Sequence, residues 1–530
     1  MTLRSPPTEQ GHFANSFDPA VNLKGSSLIG TIFNFTNCIV GAGMIGLGGA
    51  VAVSGGLISV VTIAFFAVLT KISLDLVIEL SVQTGHSSYE ELGKAAFGRM
   101  GRFMVVSAKF CYSAGCLIAY IVVIKDNMGS AIRALIKHHS SVGVFPSTDA
   151  LLSLGSLSGF FHWLVHSDFW LTWTVSTLVI LPLCLLRDMT PLSNLSMLSV
   201  ICSITIVGIV MSLYVTNPNH EIRHPGGSLY DNWLEVRWGY LESLGTFVFT
   251  FVSQHTVHLT FGSLKPELRT VSNWKKVSSV ALFLAASVSL LVAVFVYISF
   301  WQEAESDIFS IYPSLHVTNM ARLLLCITML LTFPLPFFTC RELLILTFFP
   351  ANLCALSEVI SEQDDDSDEQ GTNECGMSSL QEPLLGENRD VENNTSVVSL
   401  SSASDQAVGM SESLVDISSV LSAHAAYVIN ECLLPDNDRQ LKLPYHVALT
   451  CKLWFVITGF AVAAPNLGDV LNLVGCASGT IIAFILPACL SFRLKGFSLT
   501  ALLILLVGGI VGVFGTFFSV KRLYIDISKL

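Results

Sequence analysis

The stretch TNCIVGAGMIGLGG, Thr36 to Gly49, sets Gly41, Gly43 and Gly46 in a G-x-G-x-x-G spacing. Such a loop can cradle a pyrophosphate when a strand precedes it, a helix follows it and an acid stands about 20 residues further on. Here the flanks are continuous apolar sequence and the first acid after Gly46 is Asp75, so the dinucleotide reading fails. Two readings remain. Small residues let membrane helices touch, which accounts for one or two glycines. Five glycines in nine residues, with Gly48 and Gly49, cost a helix about 1 kcal/mol each relative to Ala, and this predicts unwinding over 41–46. Freed amides at a half-helix N-terminus suit a carboxylate and freed carbonyls suit a cation. Backbone exposed in this way inside a membrane must line a cavity.

Two other stretches put polar groups in apolar surroundings. LESLGTFVFTFVSQHTVHL holds Gly245, Thr246, Phe249, Thr250, Ser253, Gln254, His255 and His258. Polar groups at this density usually face a cavity, although a single Ser or Thr can bond back to its own helix. Gln254 and His255 also suit a cytoplasmic helix end beside Lys265. ARLLLCITMLLTFPLPFF sets Thr328 and Thr332 one turn apart on one face, just before Pro334 and Pro336, each of which frees a carbonyl. Hydroxyl and carbonyl oxygens are the ligands a small hard cation prefers. Lys71, Asp75 and Glu79, at i, i+4 and i+8, read as an ion-paired helix face and not as a catalytic set. The 13 cysteines fall mostly inside apolar runs without zinc spacing and read as packing residues. No enzyme, no cofactor and no nucleic-acid partner is expected.

The elements that position these groups follow from composition. Of 530 residues, 52% are hydrophobic and 13% charged, with mean hydropathy +0.64. A soluble protein carries about twice that charge. Eleven apolar runs reach bilayer length, near 28–51, 55–80, 103–124, 169–187, 192–216, 239–261, 277–300, 320–349, 446–464, 468–492 and 498–518. The expectation is therefore an all-α polytopic protein of eleven transmembrane helices. A polar cytoplasmic tail, 1–27, without a signal-peptide pattern, comes first. Helices one to five fill 28–216 and six to eight 239–350; nine and ten fill 446–492, and the eleventh 498–518. Short loops that would be cytoplasmic hold Lys94, Arg99, Arg102, Lys265, Arg269, Lys275 and Lys276, while 301–318 carries Glu303, Glu305 and Asp307. That bias puts the N-terminus inside, against the late charges Lys521, Arg522 and Lys529. The formal charge of −11 is local, since residues 351–445 hold 18 of 39 acids and 3 of 28 bases. This stretch, Ser-rich and poor in aromatics over 355–443, reads as a disordered cytoplasmic loop with a possible cytosolic partner. The sequons at Asn393 and Asn394 would then be unused.

Four motifs, in order, resemble the amino acid/auxin permease family and its sodium-coupled neutral amino acid transporter branch. They are FNFTNCIVGAGMIGL, SYEELGKAAFGRMGR, LPLCLLRDMTPLSNLSMLS and DVLNLVGCASGTIIAFILPACLSFRLK. The resemblance implies a five-plus-five inverted repeat with helices one and six broken and a small neutral amino acid held between them. It places Gly41, Ala42, Gly43, Met44 and Ile45 on the unwound segment meeting the carboxylate, with Phe249, Thr250 and Ser253 on the sixth helix. It puts Asn37 on the sodium-linked asparagine and Thr332, with Thr328 a turn earlier, on the helix-eight threonine of a Na⁺ site. Val252-Ser253-Gln254 departs from the family's F-x-C-H, with His255 displaced by one. Ser263 stands where an acid is frequent, and Phe261 where a Tyr is. These departures leave H⁺ open as the coupling ion, with His255 as the titrating group. A receptor-like sensor signalling through the acidic loop is the reading from another class. The membrane expected is the plasma membrane or a vacuolar or lysosomal one.

Overall fold

A chain inside lipid must pair its backbone polar groups within itself, and the apolar runs accordingly form helices. The computed structural model describes residues 25–141, 163–186, 193–216, 233–313, 315–348, 433–434 and 437–528. In chain order the helices are α1 Leu28–Ile39, α2 Ala42–Ser54, α3 Gly56–Thr84, α4 Tyr89–Ser141, α5 Asp168–Leu185, α6 Ser193–Thr216, α7 Gly239–Phe251 and α8 Val257–Ser263. There follow α9 Val271–Phe300, α10 Ile308–Ile311, α11 His316–Thr332, α12 Pro334–Phe348, α13 Leu443–Ala463, α14 Leu467–Leu494 and α15 Leu499–Ile525. Among the described residues nine helical stretches are long and apolar enough to cross a bilayer, and α1 with α2, bent by 48°, makes a tenth. The run read as the sixth span forms two shorter pieces, α7 of 13 residues and α8 of 7, neither long enough to cross a bilayer by itself.

Large apolar side chains such as Phe65, Leu178, Phe283, Phe460 and Phe517 are exposed on these helices, as lipid-facing positions require. By contrast α2 is buried almost all round. It lies between α7 and α9, and α9 also covers α1 and α3. Helix α11 packs on α4 and α6, and α7 packs on α14 as well. The α7–α14 crossing brings Gly245 and Gly475 backbone to backbone, a contact that only small residues allow.

Three expectations need correction. The third apolar run, read as 103–124, belongs to a helix starting at Tyr89; its first arm turns at Phe97–Gly98, where Gly98 has φ 63°. The ion-paired face is split. Lys71 bonds Asp75 at 2.7 Å, but Glu79 leaves its own helix to meet Lys495 at 2.6 Å. The end of the stretch read as a disordered loop contains an antiparallel strand pair, β1 Leu433–Leu434 and β2 Asn437–Leu441. That pair belongs to a separate unit, residues 344–446. Most of the acidic loop, including Asn393 and Asn394, lies outside the described residues.

Candidate substrate and ion site

The first span breaks where the glycines begin. Ser27 caps α1 by accepting from Gly30 N at 3.2 Å, and α1 ends at Val40, whose N–H still reaches Thr36 O at 2.9 Å. Gly41 is extended (φ −135°, ψ −147°), and α2 starts at Ala42 without a side-chain cap. The first amides of a helix have no acceptor within it, so the break presents N–H groups and the positive end of a dipole. The unwinding expected over 41–46 is thus confined to Val40 and Gly41. Gly43, Met44 and Ile45 are helical and buried.

The later glycines serve packing. A Cβ on Gly43 would sit 2.6 Å from Thr250 Cα. One on Gly46 would meet Leu471 and Thr246, and one on Gly49 would lie 2.6 Å from Ser306 N. Gly41 differs, since its absent Cβ would face the Tyr120 hydroxyl at 3.0 Å. Both readings of the glycine stretch therefore hold, each for different residues.

The sixth span breaks over 252–256. Val252 is extended, Ser253 has φ −136° and ψ 10°, and one tight turn at Gln254–Thr256 leads into α8. Tyr112 of α4 donates its hydroxyl to Phe249 O at 3.1 Å and Val252 O at 3.0 Å. Its ring lies 5.5 Å from that of Phe249 and 5.1 Å from that of His255. Ser253 N donates to Gln254 Oε1 at 3.0 Å, and Gln254 Nε2 donates to Ser73 Oγ of α3 at 3.3 Å. Gln254 and His255 are buried inside the break, which decides against the helix-end position beside Lys265. His258, a turn on, meets Ser81 Oγ at 2.7 Å. Thr250 bonds back to Thr246 O at 2.7 Å, while Thr246 donates through both N and Oγ1 to Asn472 Oδ1, at 2.9 and 2.8 Å.

The ion residues are brought only partly together. Thr328 Oγ1 donates to Leu324 O and Thr332 Oγ1 to Thr328 O, each at 2.8 Å. These back-bonds use the hydroxyl hydrogens and leave the oxygen lone pairs, which are what a cation needs. α11 ends at Thr332 and α12 starts at Pro334; Pro334 and Pro336 cannot donate to Leu330 O and Thr332 O. Asn37 is buried, and its Oδ1 has no partner among the described residues. A buried acceptor left unmade is costly, so this oxygen fits a cation. Tyr120 links the two regions, lying beside Thr332 as well as Gly41.

Tyr112, Tyr120, Ser73 and Asn472 are the residues that sequence reasoning missed. Tyr112, Cys116 and Tyr120 stand at i, i+4 and i+8 on one face of an otherwise apolar span, and that signal could have found the two tyrosines. Asn472 lies within a quoted family motif, but nothing in its neighbours points toward Thr246.

Residues 24–525 match a family profile described as transmembrane amino acid transporter protein. The chain belongs to that family. It is a multi-pass membrane protein. Relatives provisionally named sodium-coupled neutral amino acid transporter 11 are similar at modest identity. The Bos taurus protein is 26% identical over 331 residues, 62% of this chain and 65% of the relative. The Danio rerio protein is 27% identical over 323 residues, 60% of this chain and 65% of the relative. The match thus spans a little under two thirds of those relatives' length. A solved structure of MhsT in complex with L-phenylalanine aligns with 95% of this chain and 98% of its own, at 13% identity and TM-score 0.39.

Proposed function

We propose that this transporter carries small neutral amino acids by secondary active transport coupled to Na⁺, alternating access around the breaks in its first and sixth spans. Eleven spans would then form a five-plus-five inverted repeat, with α1–α2 and α7–α8 as corresponding broken helices. The observation that carries the reading is the apposition of the breaks. Gly43 of α2 touches Thr250 of α7, while α4 sends Tyr120 to one break and Tyr112 to the other. Free amides at Ala42 and Gly43 suit a carboxylate, and carbonyls at the end of α7 suit an ammonium. Ser253 Oγ, buried without a partner among the described residues, offers one more polar contact. On this reading Na⁺ is held by Asn37 Oδ1, Thr328, Thr332 and the carbonyls that the prolines free. One charge crossing ~60 mV supplies about 1.4 kcal/mol and a tenfold sodium gradient about 1.4 more, sufficient for roughly 100-fold accumulation.

A second reading, proton coupling, rests on His255, whose Nδ1 is buried with no partner among the described residues. The discriminating experiment is uptake of radiolabelled neutral amino acids into proteoliposomes under an imposed Na⁺ or H⁺ gradient. Uptake driven by Na⁺ alone supports the first reading. Uptake indifferent to Na⁺, driven by protons and lost in His255→Ala, overturns it in favour of the second, and binding without flux overturns both.

A further inference from the structure

Were α7 and α8 one continuous helix, Ser253 N–H would bond Phe249 O and Thr256 N–H would bond Val252 O. Neither bond is made, yet all four groups have partners. Ser253 N goes to Gln254 Oε1 and Thr256 N to Ser253 O at 3.1 Å. Phe249 O and Val252 O both go to the Tyr112 hydroxyl. Thr256 N is served by a tight turn within the break, whereas Ser253 N, Phe249 O and Val252 O are served by side chains, each itself anchored. Tyr112 is buried on α4 with its ring against Phe249 and His255. Gln254 is tied through Ser73 Oγ to Ala483 O of α14. Polar backbone buried at this depth is nearly always paired, so withdrawing the substitutes leaves the helical bonds as the nearest alternative.

We propose that Tyr112 and Gln254 are positioning residues that hold the sixth span in its broken, substrate-competent form by pairing Phe249 O, Val252 O and Ser253 N, which a continuous helix would pair within its own ladder. The inference rests on reading the breaks as the substrate site. Its physical content is a two-state element, with 252–256 unwound when the side chains are engaged and helical when they are not. Apparent substrate affinity then scales with the unwound fraction. Three other helices meet in this control, because α3, α4 and α14 all contribute to holding the break between α7 and α8.

Two measurements on the full chain test it. Amide exchange of a peptide spanning 249–257, followed in detergent without substrate, should slow in Tyr112→Phe and in Gln254→Leu as the helical bonds re-form. Uptake in proteoliposomes should show half-saturating substrate raised about tenfold in each variant, the order expected when a buried hydrogen bond is lost, with maximal uptake changed less than twofold. Gln254→Glu sharpens the test and carries it if Gln254→Leu does not fold. A neutral carboxyl can accept from Ser253 N and donate to Ser73 Oγ as the amide does, so half-saturation should approach the native value at acid pH and rise as pH increases. Unchanged or faster exchange in Tyr112→Phe, or half-saturation that is native in both Tyr112→Phe and Gln254→Leu, overturns the proposal. A wild-type chain that transports no amino acid overturns the function reading instead, and leaves the exchange result to decide this one.

Discussion

The break in the first span takes two residues, Val40 and Gly41, and α2 begins there with no side-chain cap. The break in the sixth takes five, 252–256, and is held by a tyrosine borrowed from α4 and by its own Gln254, anchored on α3. One is made by removing side chains and the other by adding them. A glycine break leaves its amides free for an incoming anion. A break held by side chains spends its polar groups on protein partners, which must be exchanged for substrate or for helix. The difference predicts that the first span is sensitive to volume and the sixth to hydrogen-bonding chemistry.

The largest effect is expected at Gly43. Gly43→Val drives a side chain into the Thr250 backbone, so uptake should fall to background with a lowered thermal midpoint. Thr250→Ala should not relieve it, because the collision is with Cα. Gly41→Ala meets only the Tyr120 hydroxyl, at 3.0 Å, and should keep part of its uptake and recover more with Tyr120→Phe. Near-native uptake by well-expressed Gly43→Val would remove the α2–α7 contact from the site. Next come the ion oxygens. Asn37→Ala and Thr332→Ala should each raise the sodium concentration for half-maximal uptake about 5- to 150-fold, since losing such a ligand costs about 1–3 kcal/mol by analogy with a hydrogen bond left unmade. Sodium activation that is unaltered in both would place the ion elsewhere.

His255→Ala should act more mildly, shifting the pH dependence of uptake while leaving sodium activation intact. A loss of sodium activation in this variant would join the sixth-span break to the ion site. The smallest effect concerns the loop outside the spans that presses Ser306 on Gly49 of α2. Burial, aided by Asp126, pushes the neighbouring Asp307 carboxyl up to about 7, against bonds from Phe309 N and Asn127 and the charge of Arg322. A carboxyl raised in this way binds its proton more tightly in the folded loop than in water. Its contribution to stability is complete below the ordinary carboxylate value and is lost as pH rises through about 7. The thermal midpoint of purified protein should therefore decline over that window, and Asp307→Asn should flatten the decline. An unaltered slope in Asp307→Asn would show that this carboxyl does not titrate there.

How much of this was legible depends on how local the cause is. Burial in lipid turns apolar runs into helices whatever their neighbours, so the spans and the helix end before Pro334 could be read from the chain. Both breaks could be expected too, the first from glycine density and the sixth from the family resemblance, polar density marking that span only as facing a cavity. Their extents could not. Gly43, Gly46 and Gly49 carry the same local penalty as Gly41, yet they stay helical because Thr250, Leu471 and Ser306 lie against them, and close packing offsets the propensity cost. Gln254 read equally well as a helix-end residue or a site residue until Ser73, 181 positions away, fixed its amide.

The sequence by itself determined a membrane-spanning helical chain, the break in its first span and the residue types able to meet a carboxylate and a hard cation, because hydropathy, glycine cost and proline's missing N–H are properties of the chain alone. Only the tertiary structure decided where each break begins and ends, and which tyrosine serves it. Buried backbone groups take whatever partner the fold brings within 3 Å or so, and those partners come from α3, α4 and α14, far away in sequence.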